Sequence, residues 1–345
     1  MTRFDLYKTL SQTGNSIKQL SVFNPLTIRK KGTRAKAVFA LALVCFLWGT
    51  TWLASKEGVR RMPALQMASI RQLIAGLIYV SYFLFKGVKF PKGKEWTPIL
   101  ILSLLNFILS NGLSTWGVKY ISAGLGSIMG AIFPLWLVVI GLFSAAGKIP
   151  TRAIIGLILG FGGVCIIFSD HLRDFFNADF RFGIILSLVA TWTWAFATLY
   201  TKEQAANFNP YFSLGLQMLI SGVVLFTFTN SLGIRHYDDG SIIKYAIPLS
   251  QIPWQSWAAI GYLVLFGSLI AFICYLYALQ RLPTEQASIY AYINPMVAVL
   301  SGWIIFGERL TIFITIGGLV ALLGVFLVNN AYKLSNMEQP ESEGV

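Results

Sequence analysis

The stretch SIYAYINP, residues 288–295, places an asparagine and a proline in the middle of a long apolar run. The stretch SIMGAIFP, residues 127–134, has nearly the same pattern 161 positions earlier, with serine, isoleucine and proline at matching places. The same shift superposes Gly156 on Gly317. A constant shift over prolines and glycines indicates an internal repeat, because two unrelated apolar helices would not share these residues in register.

The earlier part of each half aligns better with a shift of 146, which places Trp48 on Trp194 and Gly76 on Gly222. The change of shift requires an insertion in the second half. The polar stretch around residues 237–253 is the simplest place for it. The sequence therefore predicts one unit that has been duplicated.

Composition places the chain in a membrane. Of its 345 residues, 56% are hydrophobic and 12% are charged. The charged fraction is about half that of an average soluble protein, so polar groups cannot cover a globular surface. The net charge is +13, but the lysines and arginines lie in short loops and an N-terminal leader, where they can face anionic lipid. Nucleic acid is therefore not an expected partner.

Transmembrane helices need about 20 apolar residues each. The apolar runs are continuous rather than alternating, which favours helices over a β-barrel. The predicted fold is thus all-α and integral to the membrane, with ten transmembrane helices. The predicted spans are residues 37–55, 64–85, 97–117, 121–145, 151–168, 183–201, 210–230, 255–279, 284–306 and 311–331.

Each half contains five predicted spans, and five is odd. The second half must then cross the membrane in the opposite sense, which makes two inverted five-helix repeats around a central cavity. The bias of lysine and arginine places the N-terminus in the cytoplasm, and ten spans return the C-terminus there. The predicted organisation is a basic cytoplasmic leader, two repeats and an acidic cytoplasmic tail: residues 1–36, 37–168, 183–331 and 332–345.

Three stretches resemble a known family: FLWGTTWLASKEG (residues 46–58), MASIRQLIAGLIY (residues 67–79) and LPTEQASIYAYINPMVAVLSGWIIFGERLT (residues 282–311). Together they resemble the EamA branch of the drug/metabolite transporter superfamily, and the resemblance covers nearly all of residues 37–331. It implies ten helices in two inverted repeats around a central cavity. It also implies export of amino acids and related small metabolites across the inner, plasma membrane. Uptake of a small metabolite is the alternative function.

The ninth predicted span carries Gln286, Tyr290 and Asn294 four residues apart, hence on one helical face. A proline within a span frees a backbone carbonyl, which needs a packed helix or a wet cavity. Pro134 and Pro295 are therefore expected to face away from lipid. The polar face is predicted to line the cavity, and bridging of neighbouring helices is the alternative.

Aromatic residues recur on both sides of the repeat. Trp48 and Trp194 are repeat mates and are predicted to form an aromatic wall, although packing between helices needs such residues equally. Trp52 could instead anchor the helix at the membrane interface. Asn106 and Asn111 are either substrate contacts or hydrogen-bonded helix contacts. The predicted substrate-binding residues are Trp48, Trp52, Asn106, Asn111, Trp116, Ser127, Trp194, Tyr275, Gln286, Tyr290 and Asn294.

Arg71 is the basic residue that lies well inside an apolar span. Burying it costs about 3 kcal/mol or more, so it must meet a cavity, carbonyls or an anionic group. A structural tie is the favoured role and a substrate carboxylate is the alternative. Gly126 and Gly130 are spaced for close helix approach. The predicted structural or gating residues are Arg71, Pro134, Pro295, Gly126 and Gly130.

The spans lack the constellations of an enzyme. No acidic residue lies in the hydrophobic middle of a predicted span, and the histidines fall in predicted loops. An intramembrane enzyme would need paired acids, a nucleophile with a base, or metal ligands. No catalytic residue, metal or cofactor is therefore expected. Glu308 is expected to pair with the adjacent Arg309. The expected partners are a small-molecule substrate and the lipid bilayer, and the chain is expected to be a monomer or weak homodimer.

Overall fold

Helices make up nearly all of the chain that the computed structural model describes, which is residues 31–143, 150–170, 172–204, 209–236, 242–279, 281–282 and 290–337. The helices are α1 Lys31–Val59, α2 Ala64–Phe85, α3 Gly93–Gly117, α4 Ala123–Ala131, α5 Phe133–Phe143, α6 Thr151–Asp170, α7 Ala178–Gln204, α8 Pro210–Leu232, α9 residues 254–279, α10 Tyr290–Phe306 and α11 Ile312–Met337. Short 3-10 turns cover Asp174–Phe176 and Leu249–Gln251, and a hairpin is formed by β1 Ile234–His236 and β2 Ile242–Lys244.

Six of the described helices are long and apolar enough to cross a membrane. These spans are Arg34–Val59, Ala64–Phe85, Gly93–Gly117, Ala178–Thr201, Pro210–Leu232 and Trp254–Ala278. Four shorter apolar helices cover Ala123–Trp136, Thr151–Ile167, Ile293–Phe306 and Ile312–Val328. Large apolar side chains on the outside of the bundle, such as Ile158 and Ile304, are mostly exposed, as expected of a surface that faces lipid.

The described helices overrun the predicted spans at several ends. The prediction for the first span was residues 37–55, whereas α1 has 29 residues. A helix of that length is about 44 Å long, so it extends beyond a hydrocarbon core of about 30 Å. Hydropathy marks the part of the helix inside lipid, and the backbone hydrogen bonding continues past it.

The third and ninth helices share an unusual backbone. α3 is π-helical over Ser103–Asn111, and α9 is π-helical over Leu263–Ile270. A shift of 161 residues places the first segment on residues 264–272, which overlaps most of the second. π-Helical turns are rare and are often found at functional sites, so their recurrence at equivalent positions argues for a shared role in the two halves.

Helices α2 and α8, whose sequences align in the repeat, pack against each other through two glycines. A Cβ at Gly76 would lie 2.6 Å from Leu219 Cα, and a Cβ at Gly222 would lie 2.6 Å from Leu73 N. Each contact becomes the other under the shift of 146. Gly76 contacts Leu219, whereas the lower-numbered Leu73 contacts the higher-numbered Gly222. The two helices therefore cross antiparallel.

Helices α6 and α11 make the most extensive helix contact in the described chain. Like the contact of α2 with α8, it is formed by reciprocal glycine contacts. A Cβ at Gly156 would lie 2.7 Å from Gly324 O, and a Cβ at Gly317 would lie 2.6 Å from Gly163 O. The shift of 161 exchanges these two contacts. Small residues therefore let the backbones of a second aligned helix pair approach closely and antiparallel.

The two matched prolines differ in their effect. α4 ends at Ala131, and Pro134 is buried in the first turn of α5, where a missing backbone N–H costs little. Pro295 lies inside the continuous helix α10 and is also buried. Both prolines are thus turned away from the lipid surface, as expected. The single predicted span 121–145 is nevertheless two helices, because the chain breaks at Ile132.

The predicted insertion folds as the small hairpin and the segment that follows it. β1 and β2 are antiparallel, with Ile234 opposite Lys244. Gln66 of α2 holds the following segment, since its Nε2 donates to Ile247 O at 2.7 Å and its Oε1 accepts from Ile247 N at 3.0 Å. The polar stretch is therefore attached to the bundle by a side chain that satisfies both backbone groups.

Candidate functional site

A central cavity lies between helices of the two sequence halves. Residues of α1–α5 line it together with residues of α7, α9 and α10. It encloses about 1050 Å³ of empty space, including the open solvent at its mouth. The helices of both halves therefore meet around one space.

Most of the residues predicted to act on a substrate line this cavity. Among the predicted substrate-binding residues these are Trp48, Trp52, Asn111, Ser127, Trp194, Tyr290 and Asn294. Among the predicted structural or gating residues they are Arg71, Pro295, Gly126 and Gly130. The structure thus brings the two sets together at one place, and their roles there are taken up below.

Four predicted residues do not line it. Asn106 Nδ2 donates to Gln217 Oε1 at 3.4 Å, so it bridges α3 and α8. Trp116 packs edge-on against Phe182, with ring centroids 5.2 Å apart. Pro134 is buried, and the Tyr275 ring packs against Trp48 with ring centroids 5.1 Å apart. These side chains support the wall without reaching the space inside it.

Gln286 was predicted to extend the polar face of Tyr290 and Asn294. It lies outside the described residues, and α10 begins at Tyr290. The part of that face within the described chain is therefore Tyr290 and Asn294, which both line the cavity.

An aromatic cluster centred on Trp48 forms one wall. The Trp48 ring centroid lies 5.1 Å from that of Phe272 and 5.2 Å from that of Tyr290, both in edge-to-face geometry. Trp48 Nε1 donates to Gly267 O at 3.2 Å, which ties α1 to the π-helical part of α9. Because the indole N–H is satisfied and the ring is held by its neighbours, this wall offers a fixed apolar face.

A second indole sits in a groove made by glycines. A Cβ at Gly126 would lie 3.0 Å from Trp52 Cζ3, and a Cβ at Gly130 would lie 2.9 Å from Trp52 Cζ2. The sequence predicted this glycine pair to admit a neighbouring backbone. The structure shows that it admits the Trp52 ring instead, and only the absence of both Cβ atoms allows the ring to lie so close to α4.

Two asparagines, one from each sequence half, supply amides to the cavity. Gln72 Nε2 donates to Asn111 Oδ1 at 3.0 Å, which fixes the orientation of that amide and turns its N–H groups away from Gln72. The Asn294 amide is best satisfied with Nδ2 donating to Cys45 O at 2.8 Å and Tyr290 O at 3.2 Å. Asn294 then joins α10 to α1, with its oxygen left as an acceptor.

Three hydroxyl groups around the cavity donate to the protein backbone. Ser127 Oγ donates to Gly124 O at 2.7 Å, and Thr51 Oγ1 donates to Trp48 O at 2.7 Å. Thr191 Oγ1 of α7 reaches Met129 O of α4 at 2.9 Å, so it joins the two halves. Since each hydroxyl hydrogen is used by the backbone, the lone pairs of the oxygens remain as acceptors.

Arg71 is the charged residue among those that line the described cavity. Its side chain is 6% exposed, and Nε donates to Ser268 Oγ at 3.0 Å. Ser268 belongs to the π-helical part of α9, whose carbonyl oxygens at 268 and 269 also accept from Tyr79 Oη. Arg71 therefore links α2 to α9 through this hydrogen bond, and its structural role stays a prediction.

Two charged side chains hold the turn between α3 and α4, here called the α3–α4 turn and defined as residues 118–122. Lys56 Nζ donates to Val118 O at 2.9 Å and to Ile121 O at 2.6 Å. Glu308 Oε1 accepts from Ala123 N at 2.9 Å, and Oε2 accepts from Gly124 N at 3.2 Å. An anion at a helix N-terminus and a cation at a helix C-terminus are both favourable, so the two side chains fasten this turn.

The expected pairing of Glu308 with Arg309 is wrong within the described chain. The ion pairs there join Glu57 to Arg60 and Arg61. The carboxylate of Glu308 instead caps α4, because the first backbone N–H groups of a helix have no partner of their own. Sequence adjacency gave no sign of a helix start that lies about 185 positions earlier.

The sequence prediction missed Phe133 and Phe272, which also line the cavity. The repeat contains the signal that could have found them. The shift of 161 places Phe133 on Asn294 and Asn111 on Phe272. Each cavity amide therefore has a phenylalanine as its repeat mate, so the cavity is symmetric in position and asymmetric in chemistry. Small residues such as Thr115 and Ser187 carried no comparable signal.

The sequence of this chain is similar to those of known membrane transporters. The sequence model of the EamA-like transporter family matches residues 35–169 and 181–330. The inner membrane transporter YedA of Escherichia coli K12 is 30% identical over 279 residues, which is 80% of this chain and 83% of that protein. The transporter YoaV of Bacillus subtilis is 24% identical and is matched over 96% of its length.

Two further likenesses extend the comparison. A chloroplastic WAT1-related protein of Arabidopsis thaliana is 25% identical over 290 residues, which is 82% of this chain and 67% of that protein. One solved crystal structure superposes with a TM-score of 0.59 at 14% identity, over 86% of this chain and 97% of that one. The last of these is a likeness of fold alone.

Proposed function

This chain belongs to the EamA-like transporter family and is a multi-pass membrane transporter, and from that premise we propose that it exports small amphipathic metabolites, amino acids among them, by alternating access. The resemblance noted in the sequence is thereby confirmed at the level of the family. The solute would enter the central cavity, and its two ends would open in turn.

The observation that carries the proposal is a central cavity between two halves whose aligned helices pack antiparallel. α2 with α8 and α6 with α11 are aligned pairs, and each pair exchanges equivalent contacts. Such contacts support two inverted five-helix repeats, ten spans in all, with the pseudo-twofold axis in the membrane plane. Transporters built this way hold their substrate near the midplane between repeats.

The chemistry of the cavity supports an amphipathic solute. The wall around Trp48 offers a fixed apolar face, whereas Asn111 and Asn294 offer amide groups. Hydroxyl oxygens add acceptors between them. A solute with an apolar or planar body and a small polar head would satisfy both surfaces at once, and amino acids with apolar side chains have this form.

The hydrogen bonds of Lys56 and Glu308 to the α3–α4 turn support a gate at that end of α1. With the α3–α4 turn fastened by Lys56 and Glu308, a solute would leave at that end only after those hydrogen bonds break. We further propose that the chain resides in the inner, plasma membrane with both termini in the cytoplasm, and that it works as a monomer. This orientation would place the fastened end on the outer face.

Counterflow in proteoliposomes tests the proposal. Vesicles loaded with one unlabelled amino acid or related metabolite at a time should accumulate the same labelled compound when they contain the full-length protein. Asn294→Ala and Tyr290→Ala should lower the exchange rate about tenfold, as loss of one to two hydrogen bonds of about 1 kcal/mol would do. Asn106→Ala is the matched control, because it also removes an interhelical bond but lies outside the cavity.

Folded yield and thermal midpoint in detergent are measured for all three variants. A wild-type exchange rate in Asn294→Ala, or an equal loss in Asn106→Ala, would remove the cavity from the transport path. Absence of counterflow by the wild-type protein across the whole panel would contradict the proposed function itself.

A further inference from the structure

Arg71 has more hydrogen-bonding capacity than its structural tie uses. Nε donates to Ser268, whereas neither terminal nitrogen, Nη1 or Nη2, has a hydrogen-bond partner within the described residues. Both nitrogens belong to a residue that is 6% exposed and lines the cavity. Neither nitrogen is among the fully buried polar atoms that lack a hydrogen-bond partner. The free end of the guanidinium is therefore open to the space that a solute would occupy.

The charge of Arg71 is also left without a counter-charge. None of the residues that line the described cavity is an aspartate or glutamate. The ion pairs of the described chain lie at the end of α1, where Glu57 meets Arg60 and Arg61. Ionisable groups inside a membrane protein normally pair with one another or with backbone carbonyls. A cation held in this position without a protein carboxylate is suited to receive an anion from the solute.

A second donor is oriented toward the same cavity. Gln72, the residue next to Arg71, donates to the side-chain oxygen of Asn111. The Asn111 N–H groups therefore remain free to donate. The aromatic wall around Trp48 offers an apolar face to the remainder of the solute. A carboxylate can accept from a guanidinium fork and from a neighbouring amide at once, and such charge-assisted bonds are stronger than neutral ones.

We propose that Arg71 docks the carboxylate of the transported solute, so that the cavity selects amphipathic monocarboxylates over cations of the same shape. This inference rests on the proposed transport function and names the substrate class of that same cavity. Two free nitrogens on one guanidinium give the fork geometry that matches a carboxylate. Aromatic faces attract cations as well, but the fixed positive charge of Arg71 and the lack of a cavity carboxylate oppose a cationic solute.

A consequence for amino acids follows from the same geometry. The cavity offers no carboxylate to the α-ammonium group of a bound amino acid within the described residues. Asn294 and the hydroxyl oxygens are the acceptors for it. The carboxylate therefore provides the charge recognition, and a related acid without the ammonium group should bind about as well as the amino acid.

Four probes of similar shape test the proposal on the purified full-length protein. They are phenylacetate (an anion), L-phenylalanine (a zwitterion), 2-phenylethanol (neutral) and phenethylamine (a cation). Binding is followed by the change in tryptophan fluorescence, since Trp48, Trp52 and Trp194 line the cavity. Phenylacetate and phenylalanine should bind about tenfold more tightly than phenethylamine, as expected when one charge-assisted hydrogen bond is made by some ligands and not by others.

Variants at Arg71 separate charge recognition from support of the fold. Arg71→Gln should abolish the preference for the two carboxylates while leaving affinity for 2-phenylethanol unchanged. Arg71→Lys should retain part of the preference, because it keeps the charge without the fork, and it also serves if Arg71→Gln does not fold. Arg152→Gln removes an exposed arginine at the start of α6 and should bind all four probes as the wild type does.

The inference is overturned if phenethylamine binds the wild type as tightly as phenylacetate does. It is also overturned if Arg71→Gln, or Arg71→Lys where that alone folds, keeps the full preference or loses affinity for all four probes equally. Binding and counterflow of all four without a preference would leave the transport function standing and refute the role of Arg71. Neither binding nor counterflow of any probe would contradict both.

Discussion

The Trp52 indole lies directly over Gly130, so close that a Cβ at that glycine would stand 2.9 Å from Trp52 Cζ2. Gly126, one turn away, supports the other edge of the ring. Both glycines and the ring line the cavity. This indole can lie so close to α4 because Gly126 and Gly130 have no side chain. A methyl group at either glycine would move the ring.

Gly130→Ala is expected to push the Trp52 ring away from α4 and into the cavity. Overpacking at a close contact costs about 1–3 kcal/mol, and here much of it would appear as weaker solute binding, by about tenfold. Counterflow rates over a range of solute concentrations measure this as a higher KM. Gly261→Ala is the control, because a Cβ there meets nothing within 4 Å. Equal KM values in the two variants would mean that Trp52 does not shape the site.

Lys56→Met should loosen the α3–α4 turn, because three carbonyl oxygens would lose the ammonium that they share. Hydrogen bonds to charged groups contribute about 1.5–3 kcal/mol, so local opening should become roughly tenfold or more frequent. Hydrogen–deuterium exchange over residues 118–124 measures the opening. In Lys119→Met the lost side chain is an exposed one that lies over Tyr120, and exchange should stay close to wild type.

The outcome separates two views of this end of the molecule. Faster exchange together with altered counterflow would identify Lys56 as part of a gate. If exchange stays at the wild-type rate in Lys56→Met, these bonds do not hold the turn.

Adjacent glycines on α6 give a sharp test of the contact with α11. A Cβ at Gly163 would lie 2.8 Å from Ala321 Cα and closer still to Ala321 N, whereas a Cβ at Gly162 meets nothing within 4 Å. Gly163→Ala should therefore lower the free energy of unfolding by about 1–3 kcal/mol, through separation of the two backbones. Gly162→Ala should be neutral or stabilising by up to about 1 kcal/mol, since alanine is the better helix former.

Thermal midpoints of the two variants in the same detergent measure the difference. The prediction fails if both variants melt together, because the contact would then not contribute to stability.

Gln72→Leu should release the Asn111 amide from its fixed orientation. The change also removes Gln72 Oε1, a buried acceptor without a hydrogen-bond partner, so stability should fall by less than the roughly 1 kcal/mol of a typical hydrogen bond. Solute affinity should fall several-fold, because a rotating amide must be ordered on binding. Binding titration and a thermal melt on one preparation give both quantities. A large loss of stability with unchanged affinity would contradict the positioning role.

Much of the helix bundle could be predicted from the sequence because membrane helices are long and apolar. The duplication also leaves glycines and prolines at matching positions in the two halves. The pairs Gly76 with Gly222 and Gly156 with Gly317 marked the repeat in the sequence, and in the structure these glycines lie where aligned helices approach closely. The break at Ile132 and the π-helical turns were not predicted. Both are choices of backbone hydrogen bonding, and hydropathy is insensitive to them.

The cavity was predictable where polarity or repeat position distinguished a residue, as for Asn111, Asn294 and the mates Trp48 and Trp194. Asn106 shows the limit of that reasoning. It is one helical turn and one residue from Asn111, and a helix in a bundle has polar contacts on more than one face, so its amide reaches Gln217 instead. Distinguishing the two asparagines requires knowing the rotation of α3, which no single sequence specifies.

The reciprocal glycine contacts have an evolutionary consequence. A contact that maps onto itself when its two partners are exchanged is isologous, the form found between identical subunits of a twofold dimer. The first half of this chain carries, on α2 and α6, the same kinds of surface that the second half presents on α8 and α11. An ancestral half-length polypeptide would thus have carried both surfaces of each helix contact and could have dimerised through them. Gene fusion would then have joined the two subunits in one chain.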